Sequence, residues 1–134
     1  NKVVELFNNP DNLTHWQDGF VSINKLHGES GELGSQTKMK YLVKKREIEL
    51  LETITVSDLP YEISGTYQFK EGANSMRNIF EDISDDKTQY ITEVEYYEIN
   101  SFMMKVMMKI APSVFKKQVQ KWMNQFKLFV ESQA

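Results

Sequence analysis

The stretch from Pro112 to Ser132, PSVFKKQVQKWMNQFKLFVES, decides how the rest of the sequence is read. Phe115, Val119, Trp122, Phe126 and Phe129 fall at intervals of four, three, four and three, while Lys116, Lys117, Gln120, Lys121, Gln125 and Lys127 lie largely off that stripe. The period is that of an α-helix, and the stripe is a face made to be buried. Just upstream, Phe102, Met103, Val106, Met107 and Ile110 recur at three and four until Pro112 interrupts, which predicts a shorter helix before the long one.

Before Glu98 the period is two, and the chain reads as a succession of strands. The first runs from Phe20 to Leu26 and is closed by the glycine-rich loop from His27 to Gly34. Ser35 to Val43 follows, with Thr37, Met39 and Tyr41 on the core face. Lys44-Lys45-Arg46 reads as a hairpin tip before Glu47 to Ser57, in which Ile48, Leu50, Ile54 and Val56 share a parity. After Asp58-Leu59-Pro60, Tyr61 to Phe69 alternates with Tyr61, Ile63, Tyr67 and Phe69 on one side, and Gly65 marks a bend or bulge. Glu71 to Asn74 reads as a turn, and Met76 to Ile83 and Thr88 to Tyr97 as two further strands joined at Ser84 to Lys87. Short turns between successive strands make an antiparallel meander. At the other terminus, Lys2 to Phe7 is a short helical pattern. Asn8 and Asn9 end it, because Pro10 pushes the residue before it out of the α region, and Asn9 caps a second short helix that begins at Pro10 and has Leu13 and Trp16 as its buried side.

One domain, residues 1–134, accounts for the whole chain, with 40% hydrophobic and 26% charged residues in the balance of a water-soluble globule. The absence of cysteine excludes disulfides, thiolate metal sites and cysteine nucleophiles, and fits a reducing compartment. No apolar run is long enough to cross a bilayer and no secretory leader pattern opens the sequence, so a cytoplasmic setting is expected. The net charge of −3 is unevenly spread: residues 47–98 hold thirteen acids and three bases, residues 99–134 one acid and six lysines. A basic helix lying against an acidic sheet rim is the expected reason. Nucleic acid is not an expected partner, because the aromatics fall at core periodicity and are not interleaved with bases on an exposed face.

The order of elements is short helix, proline, short helix with tryptophan, six strands and a long amphipathic terminal helix. It resembles the START-like superfamily, also called SRPBCC, and within it the bacterial polyketide cyclase/dehydrase and lipid-transport type. The likeness is carried by Asn9-Pro10-Asp11 through Trp16, by the loop from Leu26-His27-Gly28 to Leu33-Gly34-Ser35, and by Glu52-Thr53-Ile54 leading to Leu59-Pro60. Thr88 opening the last strand, Phe126-Lys127-Leu128-Phe129 and Glu131 add to it. The resemblance implies an α+β helix-grip fold, a curved antiparallel sheet around the C-terminal helix, with an apolar small molecule held between them. Members of the superfamily begin with a strand before the first helix, whereas this sequence starts inside that helix at Asn1. The expectation is therefore six strands, the usual N-terminal strand lying outside the given residues, and two unpaired edges.

The side chains expected to face the space between sheet and helix are Met39, Tyr41, Leu50, Ile54, Tyr67, Phe69, Met76, Phe80, Val94, Tyr96, Phe115, Val119, Trp122, Met123 and Phe126. On periodicity alone they read as interdigitated core, and the resemblance is what makes them a ligand lining. Glu52 shares the parity of Ile48, Leu50 and Ile54, which points a carboxylate inward. Unpaired and buried, it would have a raised pKa and the means to act as general acid or base, or to anchor a ligand hydroxyl. A bulge at Leu50-Leu51, where alternation fails, would instead turn it to solvent, or onto Arg77 or a backbone N–H.

His15 and His27 have no second ligand at metal spacing, no Gly-x-Ser-x-Gly elbow is present, and the glycine loop lacks a following Gly-Lys-Ser/Thr. No metal, cofactor or nucleotide is expected. Met103, Met104, Met107 and Met108 cluster in residues 99–111. They read as core, or else as a flap over the ligand space or a transient contact with a membrane, with Lys105 and Lys109 near head groups. Three functions follow: binding or transport of a lipid, isoprenoid or aromatic polyketide; a cyclase/dehydrase-type enzyme using Glu52 with Tyr41, Tyr67 or Tyr96; or a protein-binding adaptor.

Overall fold

The computed structural model describes residues 1–133. Helix α1, Lys2–Asn8, is capped by the Asn1 side chain, which accepts a hydrogen bond from the Val3 amide at 2.9 Å. Pro10 holds Asn9 in extended backbone, so α1 stops there, and the Asn9 side chain accepts from the Asp11 amide at 3.0 Å to open a 3-10 turn, Pro10–Asn12. The turn runs into α2, Leu13–Trp16, whose Leu13 and Trp16 are buried as the sequence predicts.

Six strands follow: β1 Phe20–His27, β2 Gln36–Val43, β3 Arg46–Asp58, β4 Glu62–Phe69, β5 Gly72–Ser84 and β6 Lys87–Ile99. Their order in the sheet is their order in the chain, and every pairing is antiparallel. At the β2–β3 hairpin, Val43 pairs with Arg46, and the two loop residues Lys44 and Lys45 take φ of 48° and 66°. That left-handed pair matches strand twist, at a steric cost for residues with a Cβ. The stretch read as a turn at Glu71 to Asn74 is strand from Gly72 onward, since Phe69 pairs with Gly72 and Tyr67 with Asn74. Gly72 serves a close approach: a Cβ there would run into the carbonyl oxygen of Glu98.

Register fixes which side chains face inward. Thr37 pairs with Glu52, Met39 with Leu50 and Tyr41 with Ile48 without interruption. Directly paired residues share a face, and Thr37, Met39 and Tyr41 are buried. Ile48, Leu50 and Glu52 therefore point inward, and the ladder is continuous at Leu50-Leu51, where alternation had allowed a bulge. The irregularity comes later, between Ile54 and Val56, as β3 passes Gly65 and Ser64 of β4. Beyond it, Ser57 pairs with the core residue Ile63 and Val56 with Ser64, so Val56 sits on the outer face, 37% exposed. This corrects the reading of Val56 as inward: one extra residue inverts every side chain that follows.

Helix α3, Phe102–Ile110, follows β6, and α4, Ser113–Ser132, follows α3. The second half of α4 packs with α1, α2 and the sheet around an aromatic cluster. Phe7 lies 5.5 Å from Trp16, 5.1 Å from Phe80 and 5.5 Å from Phe126, and Trp16 lies 5.0 Å from Phe126. Val4, Ile54, Ile63 and Phe80 form the adjoining part of the core. Among the described residues no ion pair joins α4 to the sheet, so the expected match of a basic helix to an acidic rim is not made by direct contact: Lys121 pairs with Asp18 in the α2–β1 turn at 2.7 Å, and Lys127 within its own helix with Glu131.

Candidate functional site

Polar groups that face inward gather near the middle of the sheet. Glu52 and Tyr67 are directly paired across β3 and β4, and the Tyr67 hydroxyl donates to Glu52 Oε2 at 2.7 Å. Tyr41, one strand away on β2, donates its hydroxyl to Gln17 Oε1 at 2.7 Å. Its ring stacks on Trp122 of α4, centroids 5.4 Å apart. Burial pushes the Glu52 carboxyl above the usual carboxylate range, and the Tyr67 hydrogen bond offsets only part of that. Tyr67 is held well above an ordinary phenol by burial first and by the Glu52 charge second, and Tyr41 is raised for the same two reasons. The arrangement is a carboxyl group that accepts protons readily beside two phenols that keep theirs. It can donate a hydrogen bond to an oxygen, accept one from a hydroxyl, or pass a proton.

A second polar group lies nearby on β5 and β6. Asn78, buried, pairs with Thr92, and its Oδ1 accepts from Tyr90 at 2.9 Å and from Thr92 at 2.6 Å. The Tyr90 hydroxyl is pushed up to about 12 by burial, against the opposing pull of Thr92. Sequence reading named Val94 and Tyr96 and passed over Tyr90 and Thr92, although all four share one parity. It also passed over Gln17, which lies in a loop, where no period marks direction.

The residues expected to line the ligand space divide into two groups. Met39, Tyr41, Ile54, Phe80 and Phe126 are buried in the packed core. Leu50, Glu52, Tyr67, Phe69, Met76, Val94, Tyr96, Phe115, Val119, Trp122 and Met123 are half-buried. Register keeps the sheet members of this second group on one face: Leu50 opposite Met39, Met76 opposite Val94, Phe69 opposite Gly72. Phe115 of α4 meets Tyr96 edge-on at 5.5 Å. The half-buried group extends toward the end of the sheet that carries the Lys44-Lys45 and Lys70-Glu71 turns, where Arg46 and Glu71 bridge the two hairpins at 3.1 Å.

Two surface clefts lie elsewhere. One, about 410 Å³, runs between α2 and α4 beside His15, Trp16, Asp18, Gln125 and Phe129, with His15 stacked on Phe129 at 5.1 Å. The other, about 490 Å³, is on the outer face of β2 to β4 beside Lys38, Glu49, Leu51 and Gln68. Neither is the space between the inward sheet face and α4.

No known family profile and no curated protein matches the sequence. Solved structures do match in fold. A protein of Thermus thermophilus superposes with a TM-score of 0.76 at 10% identity, covering 99% of this chain and 90% of that one. Ara h 8.0201 gives 0.70 at 17% identity, over 98% and 89% of the two chains. Major latex-like protein 151 of Panax ginseng gives 0.68 at 13% identity, over 93% and 85%. With a six-stranded antiparallel meander, two short helices at its start and a long helix crossing its inner face, the chain has a helix-grip fold, shared with these solved structures.

Proposed function

We propose that this protein binds an apolar small molecule carrying one polar group, of the lipid, isoprenoid or aromatic polyketide kind, between β3 to β6 and the first half of α4. Leu50, Phe69, Met76, Val94, Tyr96, Phe115, Val119 and Met123 form the apolar wall, and the Glu52–Tyr67 pair meets the polar end. The observation that carries this reading is the inward, hydrogen-bonded Glu52–Tyr67 pair among apolar side chains that keep part of their surface accessible. A solid core gains nothing from a carboxyl group there, and desolvating one is costly. The Trp122 indole N–H, out of contact with solvent and without a protein partner, is a further donor on the α4 side.

Native mass spectrometry of the chain purified from its own host tests the proposal by looking for a co-purifying apolar molecule. Titration with a fluorescent fatty acid then gives an affinity, which Glu52→Gln and Tyr67→Phe are expected to weaken about 10- to 150-fold, the worth of one buried hydrogen bond to a charged group. No co-purifying molecule together with no probe binding would end it.

The raised Glu52 carboxyl also favours a second reading, a cyclase/dehydrase-type enzyme in which Glu52 takes a proton from a bound polyketide and returns it elsewhere. Here Glu52→Gln would leave binding of the polyketide in place and abolish its conversion. Equal loss of both would leave the carrier reading standing alone.

A further inference from the structure

Helix α3 is amphipathic the wrong way round for a helix that packs on its own protein. None of its nine residues is buried. Projected at 3.6 residues per turn, Phe102, Val106, Ile110, Met103 and Met107 occupy a continuous arc of about 140°, whereas Met104 and Met108 lie on the opposite side. The arc faces out: Phe102 is 80% exposed, Met103 76% and Ile110 77%. Met104 and Met108 are half-covered, and within the arc Val106 is half-covered while Phe102, Met103, Met107 and Ile110 are exposed. Lys105 and Lys109, both exposed, follow one margin of the apolar arc, on the Phe102 side.

The charge around this face is equally one-sided. Residues 99–130 contain six lysines and no acid, so the formal charge of −3 for the whole chain divides into +6 on this segment and −9 elsewhere. Lys121 is neutralised by Asp18 and Lys127 by Glu131. Lys105, Lys109, Lys116 and Lys117 make no ion pair among the described residues.

We propose that the exposed face of α3, flanked by Lys105 and Lys109, docks on the surface of an anionic lipid bilayer. Phe102, Met103 and Ile110 enter the acyl boundary while the lysines reach up to acidic head groups. Charge complementarity selects this occupant over a second copy of the chain, which would bring its own positive segment against this one. It also selects orientation, because the rest of the molecule is acidic and is repelled from the same surface. A helix of nine residues, about 14 Å long, lies in such a surface and does not cross it.

Sedimentation of the full chain with extruded vesicles tests it. Binding is expected to 3:1 phosphatidylcholine/phosphatidylglycerol and not to pure phosphatidylcholine, and to weaken as salt is raised. Lys105→Glu with Lys109→Glu should reduce it at least 25-fold, at about fivefold for each lysine removed, and Phe102→Asp with Ile110→Asp should abolish it. These positions are exposed, so unchanged circular dichroism and urea midpoints are expected to confirm that the variants fold. The cysteine-free sequence allows a single environment-sensitive fluorophore on Met103→Cys, whose emission should shift blue on anionic vesicles. The same label on Leu33→Cys, exposed in the β1–β2 loop, should not shift. Four outcomes overturn the proposal: no binding, equal binding to neutral vesicles, binding untouched by the lysine changes, or sedimentation equilibrium showing a dimer that Ile110→Asp dissolves.

Discussion

The two ends of the space between sheet and α4 are built from the same kinds of side chain and packed differently. At the end covered by α1, α2 and the second half of α4, Phe126 meets Phe7, Trp16 and Tyr90 edge to face, while Phe7 stacks on Trp16 and Phe80 on Tyr90. Phe126, Phe80 and Trp16 are only 2%, 3% and 4% exposed. At the end beside α3 and the first half of α4, Phe69, Met76, Val94, Tyr96, Phe115, Val119 and Met123 all keep accessible surface. Two layers cover the first end, a pair of short helices and a long one, and a single helix covers the second. The difference teaches that a continuous apolar stripe along α4 does not imply a continuous core: what lies across from it decides.

The sharpest way to break this comparison is to delete the same ring at both ends. Phe126→Ala should cost about 3–5 kcal/mol of stability, because the cavity it leaves is walled by the rings of Phe7, Trp16 and Tyr90. Phe115→Ala should cost about 1 kcal/mol, since its surroundings are already half open. Urea unfolding followed by circular dichroism measures both, and equal costs would make the two ends one core. Filling is the converse. Ile54→Phe in the packed end should destabilise by about 1–3 kcal/mol through overpacking. Val94→Phe in the loose end should change stability by under about 1 kcal/mol and weaken binding of a fluorescent fatty acid by occupying its place.

Between the ends sits Glu52, and its titration reports how dry that middle is. Its native pKa is raised above that of the unfolded chain, so at low pH, with the carboxyl protonated in both states, it carries no penalty. As pH rises through the unfolded value, the unfolded chain ionises first and stability falls, until the native pKa is passed and the loss becomes constant. Glu52→Gln removes that slope while keeping an acceptor for Tyr67. Its melting temperature should exceed that of the parent by a few degrees at about pH 7 and match it near pH 3; no gain at neutral pH would mean that water reaches the carboxyl group. The smallest effect is expected at the Lys44-Lys45 tip that bounds the loose end. Lys45→Gly relieves a left-handed backbone and should stabilise by about 0.5 kcal/mol without altering probe binding.

Much of this architecture is legible in residue order. Asn9-Pro10, the switch of period at Gly19, the strand-length alternations and the stripe from Phe115 to Phe129 each state a local preference strong enough to survive folding. The direction of Glu52 is a different matter. Alternation falters at Leu50-Leu51, and only the uninterrupted pairing of β3 with β2 shows that the lapse is an outward Leu51 on an otherwise regular strand. Val56 fails for the complementary reason: the bulge before it leaves no trace in hydrophobic pattern, because Thr55 and Val56 both suit a strand. Tyr90 and Thr92 were legible by parity, whereas Gln17 was not, since a loop residue has no period to read.

The sequence by itself determined the elements, their order and which face of each is apolar, because backbone preference and hydrophobic period are local properties written every two or three to four residues. Only the tertiary structure decided which apolar faces find a partner. Phe126 and Phe102 look alike along the chain, and one is enclosed by three rings while the other stands in solvent. Burial is a property of what the rest of the chain brings alongside, and no residue carries that information in its own position.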